Sequence, residues 1–342
     1  MVLEIDGSYG EGGGQILRNA VALSTITNKP IKIINIRANR PNPGIKAQHY
    51  VAIKSIKELC NAETKGLDIG SSELTFIPGE FKGGDYKFDI GTAGSITLAF
   101  QAIILASLKS DTEIKVKITG GTDVKWAPTW DYFQYIFIPL IKKIGVLVDV
   151  KLIKRGYYPK GGGEATITIH SSSQFNPIKL DIEIEFTLVK GIVNIGQLSN
   201  DISRRIKHSA IKTLLKSNLQ SDIRVEEDPT LSPGCGITLW TESDDVILGS
   251  SVLGERGVAS EEIGRNVANN LLSEIDSNST IDIYAFDQLL PYLAISKGNS
   301  SCIVKKISNH AQTNMWLIKQ FIDTKFEAKQ EENNIKININ KP

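Results

Sequence analysis

The side chain best suited to covalent chemistry in this chain is the histidine of Ser308-Asn309-His310-Ala311-Gln312-Thr313-Asn314-Met315-Trp316. It follows a strand-like run, Cys302-Ile303-Val304, and precedes an apolar helical run from Trp316 to Phe321. A histidine between a strand and a helix is exposed enough to react and anchored enough to be aimed. The other three histidines have ordinary explanations. His170 ends the alternating strand Thr166–Ile169, and His208 follows Arg204, Arg205 and Lys207 on a solvated helix face. His49 is in register with Ala52, Ile53, Ile56, Leu59 and Cys60, as a satisfied, half-buried side chain would be. On position alone, a loop histidine such as His310 is more often a helix cap or surface residue than a nucleophile.

Four further groupings carry possible chemistry. In Gly10-Glu11-Gly12-Gly13-Gly14-Gln15-Ile16-Leu17-Arg18, glycines ahead of a helix let backbone N–H groups face an anion. Gln15 and Arg18 lie a turn apart, and Glu11 beside a phosphate is a candidate magnesium contact. A tight connection explains the glycines equally, and the GK[ST] ending of a Walker loop is absent. Arg37 and Arg40, with Gln48 and His49 on the next helix, can grip phosphate oxygens. Surface salt bridging has an equal claim on them. Arg155, Lys160 and Gly161-Gly162-Gly163 form a hairpin that either tracks a nucleic-acid backbone or is simply solvated. Tyr284 can stack on a base, with Pro128 as a flat apolar face opposite. Asp287 can orient an imidazole, hold a metal or cap the helix starting at Gln288.

The elements that must position these groups repeat. Val2–Ile5, the helix Gln15–Leu23, Ile31–Ile36, the polar loop Arg37–Gly44, a helix and a hairpin make the first unit. The second runs through a strand ending at Ile90, the helix Thr97–Leu105, Ile114–Ile118, the loop Gly120–Pro128, the helix Phe133–Ile144 and a hairpin, Leu147–Ile153 with Glu164–Ile169. The third begins with Ile281–Tyr284 as strand, then a helix at Asp287–Leu290, Ser301–Val304, the loop holding His310 and a hairpin over Phe326–Ile339. A period of roughly 80 to 95 residues predicts an α+β fold of three βαβαββ units around a pseudo-threefold axis. The segment 182–276 does not match the unit. It reads as strand Ile182–Ile195, helix Ile202–Ser217, a strand pair around Pro233–Gly236 and helix Ala259–Ile275. This predicts a smaller α/β domain inserted ahead of the third repeat, with residues 1–181 and 277–342 as the main domain. The second loop of each unit then falls in an equivalent place: Arg37 and Arg40, Asp123 and Pro128, and His310. Loops of such different chemistry suggest one divided site.

Composition narrows the partners. A net charge of +1 excludes a bulk polyanion-binding field, so nucleic acid must be met by a local basic patch. Hydrophobic residues at 41% and charged residues at 23% describe an ordinary soluble globular protein. Cys60, Cys235 and Cys302 are too scattered for a zinc knuckle or a disulfide framework. No apolar run reaches the roughly 18 residues of a membrane span, and the amino terminus is a strand running into a glycine turn. No membrane partner and a cytoplasmic location are expected.

The blocks GEGGGQILR, RANRPNPGIKAQH, GTAGSITL, GGTDVKWAP, RGYYPKGGGE, DQLLP and NHAQTNMW occur in this order, and together they resemble the RNA 3'-terminal phosphate cyclase family from about Glu4 to Trp316. The resemblance implies an ATP-dependent enzyme acting on RNA with a 3'-terminal phosphate. The matching histidine, His310, would attack the α-phosphate of ATP, release pyrophosphate and form histidyl-AMP. AMP would pass to the RNA 3'-phosphate, and the neighbouring 2'-OH would expel it, leaving a 2',3'-cyclic phosphate. By the same match Glu11 would hold Mg2+ (or Mn2+), while Arg18, Arg40 and Gln48 would grip phosphates. Arg37, His49 and Gln101 would line the pocket, Pro128 and Tyr284 would sandwich adenine, and Asp287 and Gln288 would lie beside the histidyl-AMP. A homo-oligomer is compatible with the resemblance. Three other readings compete. A non-catalytic, cyclase-like ribosome-biogenesis branch lacks the nucleophilic histidine. An enolpyruvyl transferase shares the repeated architecture but needs neither Tyr284 nor His310. A pure RNA-binding module leaves the convergence of His310, Glu11 and Asp287 unexplained.

Overall fold

The computed structural model describes residues 2–341 apart from 173, 183 and 244. Short β-rich runs separated by apolar helices give four sheets of four strands each. In chain order, β1 (Leu3–Asp6), α1 (Gly14–Thr27), β2 (Ile31–Ile34), α2 (Ala47–Leu59), β3 (Glu63–Lys65) and β4 (Leu74–Ile77) come first. They make a sheet ordered β1-β2-β4-β3, with β1 parallel to β2 and the other pairs antiparallel. Next come β5 (Gly84–Asp89), α3 (Ile96–Ala106), β6 (Ile114–Gly120), α4 (Trp130–Tyr132), a π-helical turn at Phe133–Phe137, α5 (Ile138–Ile144), β7 (Val148–Lys154) and β8 (Gly163–Ile169). The sheet order is β5-β6-β8-β7, again with a parallel first pair.

A two-residue strand, β9 (Lys179–Leu180), precedes β10 (Leu188–Gly196), α6 (Asn200–Leu215), β11 (Gln220–Glu227), β12 (Gly234–Ser243), β13 (Val246–Leu253) and α7 (Ser260–Ile275). The chain closes with α8 (Ile283–Ile295), β14 (Ser300–Val304), α9 (Asn309–Phe321), β15 (Lys325–Gln330) and β16 (Ile335–Asn340). The last sheet runs β15-β16-β14-β9, with β9 parallel to β14. Its parallel partner strand therefore comes from before residue 182, not from Ile281–Tyr284 as the apolar run predicts. Asp282 explains the difference. Its carboxylate accepts from the backbone N–H groups of Tyr284 and Ala285 at 3.0 Å each and starts α8 at Ile283.

Alternating residues in β6 and β8 are buried, so one face of that sheet packs on α3. Helix α1 packs against α2, α3 and α9, and α8 packs against α9, bringing the helices of three sheets together. The fourth sheet, β11-β10-β12-β13, behaves differently. Strands β11 and β12 do not pair with each other; they flank β10, one parallel and one antiparallel. The expected strand 182–195 starts at Leu188, and its residue Glu183 lies outside the described residues. Strand β12 is buried along most of its length because both its faces are covered. Helices α6 and α7 cover one face. On the other, Tyr135 stacks on Trp240 with ring centroids 4.7 Å apart, and Thr129 meets Thr238 at 3.1 Å.

Arg155 closes this contact. Its side chain is 1% exposed and binds Asp123 (3.2 Å), Asp131 (2.8 Å), Glu226 (3.0 Å) and Asp228 (2.9 Å). Tyr157 Oη donates to Asn194 Oδ1 at 2.7 Å, and Asn194 Nδ2 donates to Asp131 at 2.9 Å. Arg155 thus spends its donors on carboxylates of β11, its following loop and the second unit. It is no nucleic-acid contact, contrary to one reading of the basic hairpin. No helix among the described residues is long and apolar enough to cross a membrane.

Candidate active site

The glycine turn before α1 is shaped by its neighbour α9. Gly10 and Gly12 adopt left-handed φ values of 57° and 56°. A Cβ on Gly10 would lie 2.4 Å from Thr313 Oγ1, so only glycine lets this turn press against α9. That approach brings Glu11 and Gln15 onto His310, which sits in the first turn of α9 behind the Ser308 cap. His310 Nδ1 lies 2.9 Å from Gln15 Oε1 and 3.0 Å from Glu11 Oε2. A carboxylate only accepts, so Nδ1 carries the proton and Nε2 keeps its lone pair. Burial pushes the His310 pKa down, Glu11 opposes that, and Arg40 and Arg18 add to it. The ring is therefore neutral at neutral pH, with a free, half-exposed nucleophilic nitrogen.

His310 stands at the edge of a cavity of about 660 Å³. Of the residues singled out from sequence, Arg18, Gln101, Pro128, Tyr284, Asp287 and Gln288 line this cavity with it. Tyr284 is 59% exposed at the mouth, on the first turn of α8 rather than on a strand. Gln101 Nε2 donates to Gln288 Oε1, and Gln288 Nε2 donates to the Tyr284 carbonyl at 2.7 Å, so one amide chain fixes this wall. The main-chain carbonyl of Pro128 is held by Thr97 Oγ1 at 2.8 Å. Asp287 is interior to α8, not its cap, and Asn314 Nδ2 donates to its carbonyl at 2.7 Å. Its carboxyl is buried and pushed well above the usual range, by burial first, then by Asp282 and Glu11, with Arg18 opposing. Gln15 and Glu11, not Asp287, orient the imidazole. Burial brings the Arg18 guanidinium down to about 10, with Asp287 opposing, so it stays charged at neutral pH.

Arg37, Arg40, Gln48 and His49 do not line the cavity. Arg40 reaches Glu11 at 3.6 Å and belongs to the rim around His310. Arg37, with φ of 56°, donates to the carbonyls of Asn42 (2.7 Å) and Gly44 (3.1 Å) and braces its own loop. Gln48 Oε1 accepts from the Ser95 backbone N–H at 3.1 Å, tying α2 to the start of α3. His49 is 3% exposed and accepts from the Lys46 backbone N–H at 3.3 Å. Its pKa falls well below the usual value through burial, then through Arg18, Arg37 and Lys46. A Cβ on Gly14 would lie 2.0 Å from His49 Nε2, so this histidine backs the glycine turn. Of the second loops, Arg40 and His310 meet through Glu11 and Pro128 enters the cavity, whereas Asp123 is diverted to Arg155.

Some of the site escapes sequence reasoning. Asn19 donates to Asn314 at 2.8 Å, knitting α1 to α9, and nothing in its helical spacing announces this. Trp126 lines the cavity at 96% exposure with a left-handed φ of 62°. A large aromatic in a polar GGTDVKWAP loop is a signal that could have found it. Val252 and Asn270 come from the fourth-sheet region and close one side, a contact no local pattern reveals.

A family profile described as RNA 3'-terminal phosphate cyclase matches residues 9–328. A protein of that name from Pyrococcus furiosus is 43% identical over 325 residues, covering 95% of this chain and 94% of its own. One from Methanosarcina mazei is 39% identical, with 99% of this chain and all of the relative covered (100%). One from Nitrosospira multiformis is also 39% identical, over 98% of this chain and 95% of its own.

Proposed function

The chain belongs to the RNA 3'-terminal phosphate cyclase family, and we propose that it converts an RNA 3'-terminal phosphate into a 2',3'-cyclic phosphate at the expense of ATP. The observation that carries this reading is the His310 imidazole, held through Nδ1 so that Nε2 is free at the cavity edge. Nε2 attacks the α-phosphorus of ATP, the bond to the β-phosphate oxygen breaks, and pyrophosphate leaves. Positive charge that develops on the ring is met by the Glu11 carboxylate at Nδ1. An RNA 3'-phosphate oxygen then attacks the same phosphorus, the N–P bond breaks and neutral imidazole returns. The 2'-OH attacks the 3'-phosphorus, loses its proton to solvent and expels AMP. Arg18 and Arg40 oppose the negative charge that builds on the transferring group, the largest source of rate in such reactions. Pro128 and Tyr284 take the adenine, with Gln101 and Gln288 fixing the wall behind it.

Glu11, a partly exposed oxygen donor beside the His310 ring, fits a hard divalent cation such as Mg2+ that takes its remaining ligands from water and phosphate. Such a cation supplies charge neutralisation on phosphate oxygens. Arg37, Gln48 and His49 hold the turn and loop that carry Glu11 and Arg40. The shared pairing scheme of three sheets supports one main domain of three units around a pseudo-threefold axis, 1–181 with 277–342. Residues 182–276 are then the inserted domain. A cytoplasmic setting belongs to the same proposal.

The test is incubation with ATP labelled in its α-phosphate, wild type beside His310→Ala, followed by a denaturing gel. A band that is acid-labile, alkali-stable and absent from the variant is expected, with label transferable to 3'-phosphate RNA. Equal bands, or none, would remove His310 as nucleophile.

A further inference from the structure

Helices α6 and α7 lie against each other because Gly264 has no side chain; a Cβ there would sit 2.2 Å from the Ile206 carbonyl oxygen. Ser209 Oγ donates to the Glu261 carbonyl at 2.6 Å and fixes the pair. Between the helices runs a groove of about 440 Å³, lined by Arg205, His208, Lys212 and Lys216 from the α6 side and by Glu261 and Arg265 from α7. Arg205 is partnered by Asp201 at 2.8 Å and Glu261 at 3.5 Å. Among the described residues, Lys212, Lys216 and Arg265 have no carboxylate within ion-pair reach, and all three are exposed. A chain whose net charge is +1 thus gathers four cations along one groove that holds a single acid, Glu261, and that acid is taken by Arg205. Such a set is mutually repulsive until a polyanion occupies it.

We propose that this groove is a docking track for the phosphodiester backbone of the substrate RNA, upstream of its reacting 3' end. The inference rests on the cyclase reading and gives the α6–α7 region a task. Helix α7 touches both places: Asn270 lines the cavity beside His310, and Arg265 lines the groove. Five residues of helix separate them, a rise of about 7.5 Å and a turn of about 140°, so a strand leaving the cavity crosses α7 to reach the groove. From Arg205 to Lys216 the basic stripe extends about 16 Å along the α6 axis, long enough for several successive phosphates. Lysines and an arginine without interleaved aromatic rings grip phosphates rather than read bases, so the contact is indifferent to sequence. That suits an enzyme whose chemistry concerns only the terminal ribose and phosphate.

The experiment compares wild type with Lys212→Gln/Lys216→Gln/Arg265→Gln in three assays. The first is self-labelling with ATP alone. The second is cyclisation of a 3'-phosphorylated dinucleotide, too short to reach the groove. The third is KM and the salt dependence of binding for a long 3'-phosphate RNA. The first two should be unchanged. For the long RNA, KM should rise roughly tenfold or more, and the slope of log K against log salt should fall by about 2, near 0.7 for each lost cation. An unchanged KM and slope on long RNA would overturn the groove as an RNA track. So would binding of a polyglutamate peptide to wild type, lost in the variant, without any effect on RNA. A wild type that never self-labels would instead strike the cyclase reading, whatever the groove does.

Discussion

Two glycine-rich turns that look alike on paper end in opposite situations. The first, Gly10–Gly14, delivers Glu11 to His310, and these side chains keep 26% and 46% exposure. The second, Gly161–Gly163, closes the hairpin that begins at Arg155, whose side chain keeps 1%. In both, the glycines serve close packing. Gly10 lies against Thr313, and Cβ atoms on Gly161 and Gly162 would come within 2.9 Å of Ala93 and 2.3 Å of Leu231. What differs is the fate of the neighbouring charge. A buried guanidinium must be matched by carboxylates, and Arg155 is matched by four. Burial would lower its pKa, but Asp123 and Asp131 more than offset this and hold it charged. Asp131 is pushed up to about 6, by burial first, with Arg155 opposing. At the other turn Glu11, paired with His310 and Arg40, stays partly exposed beside a histidine that edges the cavity.

The sharpest way to break this contrast is Arg155→Met. It strands Asp123 and Asp131 in a buried site, and a stability loss of about 3–5 kcal/mol is expected in denaturant unfolding. A loss under about 1 kcal/mol would mean the carboxylates are solvated and the clamp is not structural. Next is Gly14→Ala, whose methyl would overlap the His49 ring. Displacing that ring should cost about 1–3 kcal/mol by the same measurement. Gly14→Ala/His49→Ala should recover part of it, and no recovery would place the strain elsewhere.

The smallest effects lie at the open turn and are read as pH. In the proposed mechanism His310 attacks as the neutral ring, so the acid limb of self-labelling follows its pKa. Glu11 raises that pKa, so Glu11→Gln should move the limb to lower pH. Arg40 lowers it, so Arg40→Gln should move the limb to higher pH. Limbs that stay in place in both variants would show that His310 is not the titrating group.

Much of this was legible in the chain before folding. Repeated strand–helix patterns point to helices near α1, α3 and α9, because an apolar face one turn wide reads out locally. His310, Arg18, Pro128, Tyr284, Asp287 and Gln288 carry types and positions that single them out, and the cavity gathers them. At Ile281–Tyr284 the apolar run predicts a strand, but Asp282 caps a helix there, and a cap competes with β-propensity over only a few residues. Arg155 was open to misreading because basic hairpins look alike whether their partners are water or distant acids. Glu226 and Asp228 lie 71 and 73 positions away.

The sequence by itself determined the local strand and helix patterns, the apolar faces, and which residue types could attack, grip or stack. These follow from periodicities of a few residues and from side-chain chemistry. Tertiary structure decided that Gln15 and Glu11 hold Nδ1 of a histidine 295 and 299 positions on, leaving Nε2 free. It also decided that Arg155 is a clamp, and that Val252 and Asn270 wall the cavity. Burial and partnership set the charge, tautomer and reach of each group, and both depend on contacts between distant segments.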